Sequence, residues 1–273
     1  MKSIKSSPAQ KKAIAKSIQN DTFYNNEKVW TFFLAHAILN SKVRKQHYLR
    51  KLLNENVKID KDLEIWCEAE PLPPRKGVES DSEGNTKLDM AFGDIGQRDI
   101  TKAGIEFLHS AGWVCFVEAK LFSDCSSGVL YDPFRNQLAR VIENLITFQK
   151  VEKNKLPSFP QKTFFTLLTP RIFKEHPHTK LYGYKYSEFQ IKGALEKEFE
   201  NCRIEKRNIE NGWKYPDNIR KRLTTLKFNW VAYEDILEEE YNCKIDLSQK
   251  KHKGTILMYS EIKKFQKTLN SSI

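Results

Sequence analysis

The sequence predicts a mixed α/β fold: a central β-sheet flanked by helices, with helical segments at both ends. Three observations carry that expectation. The first sixty residues read as helical. The middle of the chain switches between the two-residue period of strands and the three-to-four-residue period of helices. Two near-continuous apolar runs, Trp113–Phe122 and Lys162–Pro170, lie either side of an amphipathic helical stretch. That order suits parallel strands joined by a right-handed crossover.

Taken in order, Val29–Leu39 is apolar almost all round, which predicts a buried helix. A dense basic group follows within 42–54: Lys42, Arg44, Lys45, His47, Arg50 and Lys51. Leu63–Glu70 alternates as a strand does. Pro71–Thr86 holds three prolines and two glycines and reads as a loop. Lys87–Gly93 is a second strand, and Trp113–Phe122 a third, largely buried one. Asp132-Pro133 opens a helix, proline being favoured in a first turn. Along it Leu138, Val141, Ile142, Leu145 and Phe148 recur at helical spacing, and Gln137–Gln149 is long enough for the crossover. Lys162–Pro170 is a fourth strand, stopped by its proline. A strand at Phe228–Tyr233 and helices near 184–198, 216–226 and 256–269 complete the reading. The expected organisation is one domain over 1–273, with a helical N-terminal extension (1–60), an α/β core (61–235) and a helical C-terminal extension (236–273).

Composition narrows the function. A chain of 273 residues, 40% hydrophobic and 12% aromatic, buries a substantial core and is not disordered. Forty-six Lys+Arg against 35 Asp+Glu leave a charge of +11. That excess suits a polyanionic partner, nucleic acid before an anionic membrane surface, although moderate basicity is common. The opening residues, Met-Lys-Ser-Ile-Lys-Ser-Ser-Pro, lack the apolar run of a secretory signal. Trp30–Leu39 is too short to span a bilayer, so no membrane partner is expected. Five scattered cysteines without a C-x-x-C pair argue against a disulfide framework or zinc ribbon and fit a cytoplasmic location. His176 and His178 read as a loop pair. No Gly-x-x-x-x-Gly-Lys motif or nucleophile elbow is present.

The chemistry concentrates on the third strand. Glu118 and Lys120 point to the same side of it, together with Val114 and Phe116. Desolvating such charges costs several kcal/mol each unless they pair or bind metal. Asp89 lies 29 residues earlier, on the face opposite Leu88, Met90 and Phe92. A neighbouring strand would bring its carboxylate beside Glu118. Two carboxylates and a backbone carbonyl such as that of Ala119 suit Mg²⁺ or Mn²⁺, which keeps water or phosphate in its other positions. Lys120 would then position or deprotonate the attacking water, or stabilise the transition state. The competing structural reading is a strand-end salt bridge between Glu118 and Lys120, with Asp89 a turn-facing charge.

The run Phe116-Val-Glu-Ala-Lys-Leu121, followed by Tyr131-Asp-Pro-Phe-Arg-Asn-Gln-Leu-Ala-Arg140, resembles the PD-(D/E)xK superfamily of restriction-endonuclease-like nucleases. It is similar to a branch in which Asn-Gln-x-x-Arg opens the helix after the catalytic strand. The resemblance covers residues 61–235. It implies a restriction-endonuclease-like core, a divalent metal and phosphodiester hydrolysis, with DNA as substrate and, as in many such nucleases, a homodimer. Asp89 matches the first acid, Glu118 the second and Lys120 the lysine; Leu88 stands where the family name has proline. Similar nucleases sometimes place a glutamine beside the lysine, which here is Gln137; locally it is a helix-start residue. They often add an acid from a preceding element, which points to Glu68 or Glu70 on one face of the first strand, or to a charged edge face there.

Arg135 and Arg140 could touch phosphate or be solvated. Basic groups at 42–51 (Arg44, Lys45 and Arg50 among them), at Arg203–Arg222 and near Lys250, Lys251 and Lys253 would hold phosphates if they line one groove. Tyr48, Trp213 and Tyr215 could stack on unpaired bases. Each basic group has a plain alternative as a solvated helix face. Asp94 and Asp99 read as turn residues and His109 as structural. The alternative function is a non-catalytic nucleic-acid-binding or assembly subunit on a nuclease-like scaffold.

Overall fold

Strand alternation sorts the apolar side chains onto the two faces of one sheet, and helices cover both faces. The computed structural model describes residues 4–60, 62–75, 86–98, 103–108, 112–125, 135–151, 156–202, 206–207 and 212–271. Helices α1 (Pro8–Gln19), α2 (Glu27–Asn40) and α3 (Lys45–Leu53) come first. Ser7 and Asn26 cap α1 and α2 by accepting the Gln10 and Val29 N–H groups, which satisfies donors a helix start leaves orphaned. Strands β1 (Ile65–Ala69), β2 (Leu88–Gly93), β3 (Ile95–Gln97), β4 (Ile105–Phe107) and β5 (Trp113–Ala119) follow. Helix α4 (Gln137–Ile146) then leads to β6 (Lys162–Thr169), α5 (Arg171–Glu175), α6 (Leu181–Phe189) and α7 (Ala194–Glu200). The chain continues through α8 (Ile219–Thr224), β7 (Leu226–Ala232), α9 (Glu234–Tyr241) and α10 (Lys253–Asn270).

The main sheet has five strands in the order β1-β2-β5-β6-β7. β1, β2 and β5 pair antiparallel, while β5, β6 and β7 run parallel, with α4 bridging β5 and β6. The crossover read from the sequence is therefore present. Cys115, Val117 and Ala119 of β5 join a core with α1, α2, α3, α9 and α10. Val114 and Phe116 face the other way, into a core with α4, α6 and α7. The result is a mixed α/β fold of three layers, in which the helices expected as N- and C-terminal extensions together form one covering layer. Among the described residues, no helix is long and apolar enough to cross a membrane.

Several expectations shift. The helix expected at 184–198 is two, because Gly193 turns the chain at φ +85° between α6 and α7. The third strand ends at Ala119, so Lys120 begins the segment beyond it. The small β3–β4 pair was not anticipated. The expected helix start at Asp132-Pro133, together with Asp99 and His109, lies outside the described residues. At the far end of β2, Gly93 holds φ +119°, and a Cβ there would meet the Trp113 carbonyl oxygen at 2.6 Å. Only glycine permits that close passage from β2 toward β3.

Candidate active site

The site grows from the ladder between β2 and β5. Met90 pairs with Val117 and Ala91 with Phe116, so the next step in register sets Asp89 opposite Glu118. Opposed residues of antiparallel strands project to the same face. Asp89 Oδ2 accepts a hydrogen bond from the Ala119 N–H at 2.8 Å, which fixes its carboxylate beside the Glu118–Lys120 turn of chain. Lys120 Nζ stands 2.7 Å from Glu118 Oε1. Glu118 is wholly buried and Lys120 is 4% exposed. Apart from that ion pair, neither Glu118 oxygen meets a hydrogen-bond donor among the described residues.

Two residues of α2 not singled out from the sequence, Glu27 and Lys28, complete the cluster. The first turn of α2 brings Glu27, whose Oε1 lies 3.6 Å from Lys120 Nζ. Glu27 Oε2 accepts from the Leu121 N–H at 2.8 Å and from the Ser123 hydroxyl at 2.9 Å. Its neighbour Lys28 reaches Glu68 of β1 at 2.6 Å. Glu68 is buried at φ +54°, a strained backbone for a residue with a side chain, costing about 1–3 kcal/mol. Glu70, two residues on, lies 3.8 Å from Lys87.

The electrostatics follow from burial. Desolvation and then the facing Glu118 push the Asp89 carboxyl well above its usual range, with Lys120 pulling the other way. Burial also raises Glu118, against the pull of Lys120. For Lys120, burial disfavours the charge, but Glu118, Asp89 and Glu27 outweigh it and hold the ammonium above its ordinary range. Four carboxylates (Glu27, Glu68, Asp89, Glu118) thus stand against two ammonium groups (Lys28, Lys120).

That excess of negative charge, and a buried carboxylate with one oxygen left to no donor among the described residues, fit a divalent cation. Asp89, Glu118 and the Ala119 carbonyl are the groups that would hold it. Among the described residues no three His, Cys, Asp or Glu side chains form a ready-made cage. A hard ion that retains several waters needs none.

Other candidates take different places. Gln137 opens α4 and is half-buried, and Asn136 caps the helix by accepting the Ala139 N–H at 3.0 Å. Arg135, 1% exposed, pairs with the buried Glu143 at 2.5 Å. Arg75 joins Glu143 at 2.9 Å, and the Tyr215 hydroxyl donates to it at 2.5 Å. Arg140 Nε donates to the Thr86 hydroxyl at 2.8 Å. The structure therefore turns both arginines inward.

In the 42–51 group, Arg44 bonds the Glu239 carbonyl, and His47 and Lys51 pair with the Glu239 carboxylate of α9. Lys45 donates to the Leu63 carbonyl at 2.9 Å, and Arg50 is exposed. Further on, Arg222 donates to the Ile146 carbonyl at 2.6 Å and Lys206 stands over the Tyr215 ring. Tyr48 and Trp213 are buried and Tyr215 is tied to Glu143, so none is presented for stacking on a base. Asp94 is buried, its carboxylate accepting the Gly112 N–H at 3.3 Å. None of the five cysteines forms a disulfide.

Compared with protein-family models, with curated proteins and with solved structures, the chain matches none.

Proposed function

We propose that the chain is a metal-dependent nuclease with a restriction-endonuclease-like core, hydrolysing phosphodiester bonds of DNA at Asp89, Glu118 and Lys120. The observation that carries this reading is the approach of Asp89 and Glu118 on neighbouring strands, Glu118 buried with the Lys120 ammonium as its one donor among the described residues. A structural ion pair would account for Lys120 and Glu118 alone. It leaves Asp89 unexplained, because a second carboxylate returns the neutral pair to net negative charge. Two desolvated carboxylates held together cost stability and recur where a cation or proton is handled.

Asp89 and Glu118 would bind Mg²⁺ or Mn²⁺ with the Ala119 carbonyl. When bound, the metal neutralises charge on the phosphate and lowers the pKa of a coordinated water. Asp89 is oriented for this by the Ala119 N–H. Lys120, kept protonated by its acidic neighbours, acts as a cation: its Nζ donates hydrogen bonds to oxygens on which charge grows as water attacks phosphorus. Glu27 acts through others, anchoring Leu121 and Ser123 and restricting where the ammonium can go.

The test is cleavage of plasmid and single-stranded DNA with Mg²⁺, Mn²⁺ or EDTA, by the wild type, Asp89→Asn and Lys120→Ala. Metal-dependent cleavage lost in both variants supports the reading. Cleavage retained by Lys120→Ala sinks it, and salt-sensitive binding without cleavage under any metal transfers the site to a binding subunit.

A further inference from the structure

The segment that leaves β5 is held from two sides. Glu27 grips Leu121 and Ser123 from α2. From the opposite layer, Lys180 Nζ donates to the Phe122 carbonyl at 2.9 Å. The Asp124 carboxylate accepts the Leu181 and Tyr182 N–H groups at 2.8 and 3.2 Å, capping the start of α6. The first turn of α6 is thereby fixed within a few residues of Lys120.

Tyr182 in that turn is 0% exposed. Its ring makes edge contacts with Phe173 and Trp230, and it belongs to the core that Val114 and Phe116 of β5 also enter. Glu118 shares the β5 face of those two residues. The phenol hydroxyl has no hydrogen-bond partner among the described residues. A buried hydroxyl in that state destabilises the fold, and the tyrosine gains nothing by it that phenylalanine would not supply. Trp230, against which the ring packs, stands level with Glu118 in the sheet through Leu167 of β6, so the ring lies over the strand ends that carry the cluster. Burial raises its pKa, which keeps the proton on the oxygen and makes it a donor at neutral pH.

Resting on the nuclease reading above, we propose that Tyr182 is a further substrate-contacting residue, its hydroxyl donating a hydrogen bond to an oxygen of the phosphate held at Asp89 and Glu118. It approaches from the α6 layer, while Lys120 approaches from the strand. The two donors divide the charge that develops on the phosphate between a cation and a neutral group. The unpartnered hydroxyl is the cost of having that donor in place before the substrate arrives.

Tyr182→Phe removes only the oxygen and keeps the ring contacts, so structural and functional roles move in opposite directions. Melting temperature, Ca²⁺ affinity by calorimetry, affinity for a short DNA duplex in Ca²⁺, and the single-turnover cleavage rate in Mg²⁺ are compared with wild type. The expected result is an unchanged or higher melting temperature, unchanged Ca²⁺ affinity, weaker Ca²⁺-dependent DNA binding and a rate lowered about 100-fold, as when one preorganised donor is lost. Equal DNA affinity and equal rate overturn the Tyr182 assignment while leaving the nuclease standing. A loss of Ca²⁺ affinity in Tyr182→Phe also overturns it, because the hydroxyl would then act on the carboxylates. A wild type that binds no divalent ion overturns the nuclease reading, and this one with it.

Discussion

Asp89 and Glu118 face each other across the β2–β5 ladder, one register step beyond the Met90–Val117 pair. The Ala119 N–H holds the Asp89 carboxylate at this end of the ladder, close enough to Glu118 for the two charges to repel. Burial raises both carboxyl groups above their ordinary range; Glu118 raises Asp89 further, and Glu27 and Glu68 raise Glu118. An acid whose folded pKa is raised supports the fold while protonated. That support is complete below the ordinary carboxylate range and is lost as pH rises through the raised value.

Asp89→Asn therefore separates stability from function. The amide cannot ionise, yet its oxygen can still accept the Ala119 N–H. In EDTA at neutral pH the variant should melt above wild type by about 2–4 °C, the shift of roughly 1 kcal/mol in a domain of this size. The gap should begin to close as pH falls below the raised Asp89 value and vanish in the ordinary carboxylate range, where the unfolded acid is neutral too. Thermal melts across pH decide it, and a variant less stable than wild type throughout would refute the argument.

Metal binding should be coupled to protons. Carboxyl groups with raised pKa values must lose their protons to act as ligands, so apparent Mg²⁺ or Ca²⁺ affinity should increase with pH. Calorimetry in buffers of different ionisation enthalpy measures the protons released. The release should shrink in Asp89→Asn; equal release in both proteins would place the metal elsewhere.

Lys120→Ala leaves Glu118 buried without its cation, and breaking such a pair costs about 3–5 kcal/mol. Lost cleavage in that variant needs a folded control. The double substitution Glu118→Gln with Lys120→Met removes both charges and should restore much of the stability without restoring cleavage. Urea denaturation and plasmid cleavage on the same preparations test this, and a cleaving double variant would remove both residues from the chemistry.

Arginines of the same sequence class should behave differently. Arg135→Ala exposes a buried Glu143 network and should lower stability by about 3–5 kcal/mol. Arg50 is exposed, and Arg50→Ala should leave stability within about 0.5 kcal/mol. If Arg50 contacts phosphate, the salt slope of DNA binding falls by about one in that variant. An unchanged slope assigns it to a solvated helix face.

How much of this was legible follows from the range of each signal. Asp89, Glu118 and Lys120 were readable because strand alternation is local and a charge pair at the end of an apolar run stands out. Their opposition needed only one assumption, that the two strands are neighbours. Glu27 was invisible: it contributes through Leu121, 94 positions away, and a glutamate in the first turn of a helix is ordinary. Tyr182 reads as one more core aromatic until its hydroxyl is found without a partner. The basic group at 42–51 suggested a phosphate groove because its acidic partner, Glu239, lies almost two hundred residues downstream. Glu68 and Glu70 looked alike by period, and neither the positive φ of Glu68 nor the separate lysine each meets was visible in it.

The end of β5 is finished by distant parts of the chain. The Lys120 N–H is taken by the Leu168 carbonyl of β6, and the Leu121 N–H by Glu27 of α2. During synthesis Asp89, Glu118 and Lys120 all emerge before the strand that completes their setting. Until β6 docks, Lys120 sits at an open sheet edge with water screening every charge around it. The proposed site is therefore incomplete until β6 has been made and has docked.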